Sequence, residues 1–137
     1  MKFELLTLTG VKFRGDVAEV ALKTASGQIS VLPGHEPLTS IAVAGPVTVR
    51  PTSGATQYFA AFGGLLEVTE NQVRLLADEA EPASEMIEAE VEAALVRARE
   101  MSERAQARHE VHQARELAGR HAVRLEVARM HRRHRSR

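Results

Sequence analysis

The sequence predicts a mainly β domain followed by α-helices, and three observations carry that expectation. Up to about residue 80, short apolar runs are cut by turn-forming residues at intervals of roughly ten, the spacing of antiparallel sandwiches and barrels. Eight of the nine glycines lie before residue 65. Beyond Pro82 there is no further proline, and apolar residues recur at helical spacing among Ala, Glu and Arg.

The expected strands follow in order. "KFELLTLT" stops at Gly10, "VAEVALKT" at Ser26-Gly27, "QISVL" at Pro33-Gly34, "PVTVR" at "PTSG" and "TQYFAAF" at Gly63-Gly64. "LLEVT" and "QVRLLA" flank Glu70-Asn71, the clearest hairpin turn. A parallel α/β arrangement needs crossover helices of about a dozen residues, for which this half has no room. Gly63-Gly64 lacks the spacing and the following lysine of a phosphate loop, and is read as a tight turn or a close strand approach.

Residues 83–137 are expected to be helical, set off from a β domain spanning 1–82. Pro82, Ser84, Glu85 and Glu88 suit a helix start, because acidic side chains complement the amide-rich end. One apolar face runs Ile87, Val91, Leu95, Ala98, Met101 or Ser102, and Ala105. A second runs Val111, Ala114, Leu117 or Ala118, Ala122 or Leu125, and Ala128. Both faces are rich in alanine, and each methylene missing relative to leucine forgoes about 0.8 kcal/mol of burial, so packing holds this region weakly. The periodicity allows either one long helix or a hairpin, with "QARHEVH", residues 106–112, as the candidate turn. Gly119 weakens its helix by about 1 kcal/mol relative to alanine.

Charge is distributed unevenly. The formal net charge is zero, yet residues 120–137 hold seven arginines against Glu126 alone, a local basic patch. Without cysteine there are no disulfides and no thiolate-ligated metals. The start, "MKFELLTLTG", lacks a signal-peptide pattern and no run has the length of a membrane span, so the chain is expected to stay on the side where it is made.

Catalytic patterns are weak. In His109-Glu110-Val111-His112 the second histidine comes one residue too early for the zinc-protease helix, and no metal site is expected. Ser26, Ser30, Ser40 and Ser53 lack a nucleophile elbow, and Asp16 and Asp78 form no catalytic acid pair. "VLPGHEPL", residues 31–38, gives His35 no chemical company, leaving a docking loop or a rigid turn. The arginine-rich end invites a nucleic-acid reading, but the first half is not basic and has no interleaved aromatic stripe, so no nucleic acid is expected.

Taken together, "SGQISVLPGHEPLTSIAVAGPVTVR", "AAFGGLLEVTENQVRLLADEAEP" and the acidic-start helices resemble one family, the epsilon subunit of the F-type ATP synthase. Its Leu-Pro-Gly-His-x-Pro-Leu loop is matched by Leu32 to Leu38, with Gly45 following; its Gly-Gly-x-x-Glu-Val pattern is matched by Gly63, Gly64, Glu67 and Val68, then Asn71, Val73, Leu75, Ala77 and Asp78. The resemblance implies a ten-stranded flattened antiparallel β-sandwich followed by an antiparallel two-helix hairpin. It implies a non-catalytic central-stalk subunit without a cofactor, bound to the gamma subunit and the c-subunit ring. Such a subunit couples proton-driven rotation to ATP synthesis at the cytoplasmic face of a bacterial plasma membrane, held there through the complex. Pro33, Gly34, His35, Glu36 and Pro37 then form a subunit interface. Arg120, Arg124, Arg129, Arg132 and Arg133 become the contacts by which the helices inhibit ATP hydrolysis at the catalytic alpha/beta head.

Some relatives bind ATP between the helices. Their Ile/Leu-Asp-x-x-Arg-Ala signature falls on Ile87 to Glu92, where Glu88 keeps an acid but Val91 and Glu92 replace the Arg and Ala. Ile87, Glu88, Arg120 and Arg124 are the candidate nucleotide contacts, weakened by a lost guanidinium and an added carboxylate. "HRRHRSR" extends past the usual end of the family. The competing reading is a β-sandwich interaction or nucleic-acid-binding module with a basic helical arm.

Overall fold

The computed structural model describes residues 1–136. Seven strands are followed by two helices: β1 (Lys2–Thr7), β2 (Gly10–Thr24), β3 (Gly27–Val31), β4 (Leu38–Ala42), β5 (Gly45–Pro51), β6 (Gln57–Thr69), β7 (Gln72–Pro82), α1 (Glu88–Arg104) and α2 (Arg108–Arg135). A single 3₁₀ turn, Ala83–Glu85, joins β7 to α1. Arg137, the last of the basic-tail arginines, lies outside the described residues.

The strands form one continuous sheet folded over a core, closed through the pairings β1–β2, β2–β5, β5–β6, β6–β7 and β7–β1. β4 adds to β6 and β3 to β2. Alternation sends Phe3, Leu5, Val17, Val20, Leu22, Val47, Val49, Phe59, Leu66, Val73 and Leu75 inward, all essentially buried. Burying a valine or leucine side chain contributes about 1.5–3 kcal/mol each, and this interior is built from strand residues with none from the helices.

Three expectations are corrected. There are seven strands, not ten, because long strands continue through points where short ones were expected to end. β2 pairs with β1 along its first part and with β5 and β3 along its second. β6 passes straight through Gly63-Gly64, pairing with β5 before the glycines and β4 after them. The sandwich is also not wholly antiparallel, since β1 and β7 run parallel, from Lys2 beside Gln72 to Leu6 beside Leu76. Finally, the candidate turn at residues 106–112 is shorter: the backbone is extended at Ala105 and Ala107, and Arg108–His112 already belong to α2. Neither helix end there carries a side-chain cap, so the break follows from packing of the hairpin and left no local signal.

Gly63-Gly64 organises what lies outside. Before the pair, Phe59 and Ala61 face the core; after it, Leu66 and Val68 do. The inward parity thus reverses, and on β7 it reverses opposite, after Ala77. Gly63 and Gly64 have φ of 75° and 135°, and a Cβ on Gly64 would lie 2.2 Å from the Leu76 carbonyl oxygen. Only glycine fits there. The reversal turns Ala60 and Phe62 outward to meet Val127, Val123 and Met86 from the helical segment.

Candidate docking and regulatory sites

The 31–38 segment builds a rigid turn. His35 N–H donates to the Leu32 carbonyl at 3.1 Å, with Pro33 and Gly34 between them and Gly34 at φ 88°, the features of a type II turn. His35 Nδ1 lies 2.7 Å from the Glu36 carbonyl oxygen. A carbonyl only accepts, so Nδ1 is the donor in this contact, which fixes the ring against the turn. Pro33, Gly34, Glu36 and Pro37 are exposed around it. Among the described residues, no group of His, Asp or Glu is arranged to hold a metal ion.

Beside this loop the outer face of the sandwich carries an apolar row that no strand pattern singled out. Ile41 pairs with Leu65, Leu65 with Leu76, Leu76 with Leu6 and Leu6 with Val11, one residue from each of β4, β6, β7, β1 and β2. Cross-strand partners share a face. Ile41 is 63% exposed and Val11 48%, so the row faces solvent. The row alongside is polar and internally paired: Glu4 accepts from Arg14 at 2.8 and 3.0 Å, from Gln72 at 2.8 Å and from Arg74 at 3.4 Å. The registers that place these residues side by side are the signal that could have revealed the row, and they are not readable from one strand at a time.

The helices form a hairpin laid on the opposite part of the sandwich, α2 inward. Val91 and Leu95 of α1 pack on Leu125, with Ala118 and Ala122 beside them. Ile87 and Met101, expected on this face, are more than half exposed. On its other side α2 presents Val123 and the fully buried Val127 to Ala60, Phe62 and Ala83. Two apolar stripes on different sides of one helix blur its single-face periodicity, which is why the sandwich-facing stripe was missed.

Charge clasps this arrangement. Arg120 donates to Glu79, and its guanidinium lies 4.2 Å from the Phe62 ring centroid. Arg124 reaches both oxygens of Glu81, at 2.7 and 3.0 Å. Arg132 donates to Glu88 at 2.8 Å, and Arg129 lies 3.4 Å from Glu88 and 3.7 Å from Glu92. Arg133 is exposed near Tyr58 and His134. The candidate nucleotide contacts are split between two places. Arg120 and Arg124 face β7 across a cleft of about 230 Å³, whereas Glu88 meets Arg129 and Arg132, five to twelve residues further along α2, roughly 8–18 Å at about 1.5 Å per residue. Ile87 is exposed at the start of α1, and Val91 is buried between the helices.

The histidine pair of the near-zinc motif does no such work: His109 is exposed, and His112 lies 3.1 Å from Glu116 one helical turn on. No helix among the described residues is long and apolar enough to cross a membrane.

Comparison with known proteins places this architecture. Residues 1–83 match the family model described as ATP synthase, Delta/Epsilon chain, beta-sandwich domain. An ATP synthase epsilon chain of Streptomyces avermitilis is 38% identical over 96 residues, covering 70% of this chain and 77% of that one. That of Herpetosiphon aurantiacus is 31% identical over 132 residues, 96% of each chain, so the likeness runs through the helices. Among solved structures, a chain of the Euglena gracilis mitochondrial ATP synthase, from a structure of OSCP, F1 and c-ring in rotational state 1, superposes with a TM-score of 0.69. At 22% identity, over 93% of this chain and 76% of that one, it shows a shared fold. The matched β-sandwich and the full-length similarity to epsilon chains establish that this chain belongs to the ATP synthase delta/epsilon family.

Proposed function

We propose that this chain is a non-catalytic subunit of the central stalk, coupling proton-driven rotation of the c ring to ATP synthesis, and that its helices restrain ATP hydrolysis. The observation that carries the docking role is the apolar row Ile41–Leu65–Leu76–Leu6–Val11, a solvent-facing stripe suited to a permanent partner surface. The gamma subunit is the proposed occupant. The turn at Pro33, Gly34, His35, Glu36 and Pro37 has low conformational entropy and supports a second contact, with gamma and the c ring. On this reading the protein sits peripherally at the cytoplasmic face of the bacterial plasma membrane, attached through the complex.

The regulatory role rests on the ion-pair clasp. Arg120, Arg124, Arg129 and Arg132 spend their charge on Glu79, Glu81, Glu88 and Glu92 while the hairpin lies on the sandwich. Arg120 and Arg124 become free when the hairpin leaves β7, and Arg129 and Arg132 when α2 also parts from Glu88 and Glu92 of α1, so the docked hairpin and full contact of these guanidiniums with acidic surface on the alpha/beta head exclude one another. Arg133 adds a fifth. The family match, rather than composition, removes support from the competing interaction or nucleic-acid module.

His134 stacks edge-on to Tyr58, near the start of β6, whereas Leu38, just after the Pro33–Pro37 turn, pairs with Val68 near its end. Ten strand residues, about 30 Å, separate them. With the turn toward the c ring, a docked tail points away from the membrane, which disfavours a lipid contact in that state.

The test is reconstitution of the catalytic head with full-length chain and with a version ending at residue 119. Full-length chain should co-purify with gamma and lower the initial rate of ATP hydrolysis; the shortened one should co-purify and leave the rate high. Equal rates would remove the brake, and failure to bind gamma would remove the stalk role.

A further inference from the structure

His121 stands at the junction of hairpin and sandwich, half-buried in the cleft that Phe62, Glu79, Glu81, Arg120 and Arg124 line. Its Nδ1 is 3.0 Å from Arg124 Nη1. Arginine has only donors, so Nδ1 must accept, and the imidazole there is neutral with its hydrogen on Nε2. Charged groups face it from every element of the junction: Arg120 and Arg124 on α2, Arg97 on α1, and Glu81 on β7, with Glu79 across the cleft on Arg120. Three guanidiniums against two carboxylates leave the junction positive before the histidine titrates. Burial first, then Arg124, Arg120 and Arg97, hold this imidazole below its ordinary proton affinity, with Glu81 opposing them.

We propose that His121 is a proton-operated latch: neutral, it completes the docked junction, and protonated, it frees α2 from the sandwich. Protonation acts twice. It removes the lone pair that accepts from Arg124, and it places a fourth cation beside Arg97, Arg120 and Arg124. On a released helix His121 meets water and titrates near the ordinary value of about 6.5. The released state therefore takes up the proton more readily. Docking is at full strength above about pH 6.5 and weakens as pH falls from there toward the lower value of the docked form. One linked proton changes the docked-to-released ratio by at most about tenfold per pH unit.

The latch rests on the proposal that the hairpin can leave the sandwich, though not on what the freed helices then touch. Since the chain has no cysteine, Ser53→Cys, in the turn after β5, and Ser136→Cys, at the end of α2, accept a donor and acceptor dye on the full-length chain. Energy transfer should be high at pH 8, with the docked-to-released ratio dropping several-fold between pH 7.5 and 5.5. His121→Gln, whose amide never charges and whose oxygen can still accept from Arg124, should flatten that response. His121→Lys should be released already at pH 8. An unchanged pH response in His121→Gln would assign the effect to another group, such as His134 on Tyr58, and overturn the latch; a docked His121→Lys would overturn it as well. Failure of the underlying reading looks different: Arg120→Glu with Arg124→Glu, which reverses both contacts to β7, would then keep full transfer at every pH.

Discussion

Arg124 holds Glu81 by a two-pronged contact, Nε to Oε2 at 2.7 Å and Nη2 to Oε1 at 3.0 Å, joining α2 to β7. Both side chains are shielded, 25% and 31% exposed, so the pair is worth more than a solvated surface bridge. Arg124→Ala should weaken docking of the hairpin by about 1–2 kcal/mol. Arg124→Lys should restore little of it, because an ammonium cannot make the planar fork. Hydrogen exchange of the α2 amides in the isolated chain reads this directly. Combining Arg124→Ala with Glu81→Gln should be non-additive by at least about 0.5 kcal/mol. Strict additivity would show that the two side chains are uncoupled in solution.

Two glycines should respond oppositely to alanine. Gly64→Ala puts a Cβ 2.2 Å from the Leu76 carbonyl oxygen at φ 135°, where neither backbone nor neighbour can yield cheaply. A loss of about 3 kcal/mol in denaturant unfolding is expected. At Gly119 in α2 a Cβ meets nothing within 4 Å, so Gly119→Ala should strengthen the helix by about 1 kcal/mol. A neutral Gly64→Ala would mean that the strand parity reversal does not depend on these glycines.

The apolar row offers a separation of folding from docking. Ile41 is 63% exposed on a face away from the core, so Ile41→Asp should shift the thermal midpoint by only a degree or two, about 0.5 kcal/mol or less for a surface site. Association with gamma should nevertheless fall at least tenfold, because a carboxylate buried at a contact has no partner in the row. Wild-type affinity in pull-down titrations would place the gamma contact elsewhere on the sandwich.

Acid should loosen one corner of the sandwich through Glu4. Hydrogen bonding to Arg14 chiefly, and the charges of Arg14 and Arg74, hold its carboxyl below the ordinary 4.5 despite some burial. Because the folded value is depressed, the stabilisation is fully present above about 4.5 and is lost as pH falls through the lower folded value. Glu4→Gln should therefore be less stable than wild type at pH 7, and the gap should close on acidification. A gap that does not narrow at all as pH falls below about 4.5 would show that packing, not charge, is responsible.

Much of this fold was legible because single residues announce their backbone. Asn71, at φ 61°, sits in the two-residue β6–β7 turn where Glu70-Asn71 promised a hairpin. Pro33-Gly34 likewise marked the turn before β4. Strand number was not legible, since Gly63-Gly64 reads as a stop in one dimension and becomes a passage when β7 supplies hydrogen bonds across it. β4 went unseen because Leu38–Ala42 alternates apolar with Thr39 and Ser40 and has only five residues. The candidate site was half visible. The arginines stood out as a patch, but their partners Glu79 and Glu81 owe their outward position to the parity reversal, a three-dimensional consequence of two glycines.

The same ion pairs oppose nucleotide binding. A polyphosphate between the helices would need free guanidiniums, and Arg120 and Arg124 already hold Glu79 and Glu81. Glu88 is engaged by Arg129 and Arg132, so the acidic and basic candidates do not converge on one space. Val91 is buried in the hairpin and has no charge to offer, and Glu92 adds a carboxylate that would repel the ligand. ATP must therefore displace internal ion pairs without gaining the missing arginine, and calorimetry on the isolated chain should find millimolar affinity or none. Glu79→Gln with Glu81→Gln removes the competing charges while keeping the side-chain shape, and should tighten any binding by about tenfold, roughly 1.4 kcal/mol. Micromolar binding by the unaltered chain would show instead that the clasp opens readily for a nucleotide, making ATP a controller of the hairpin.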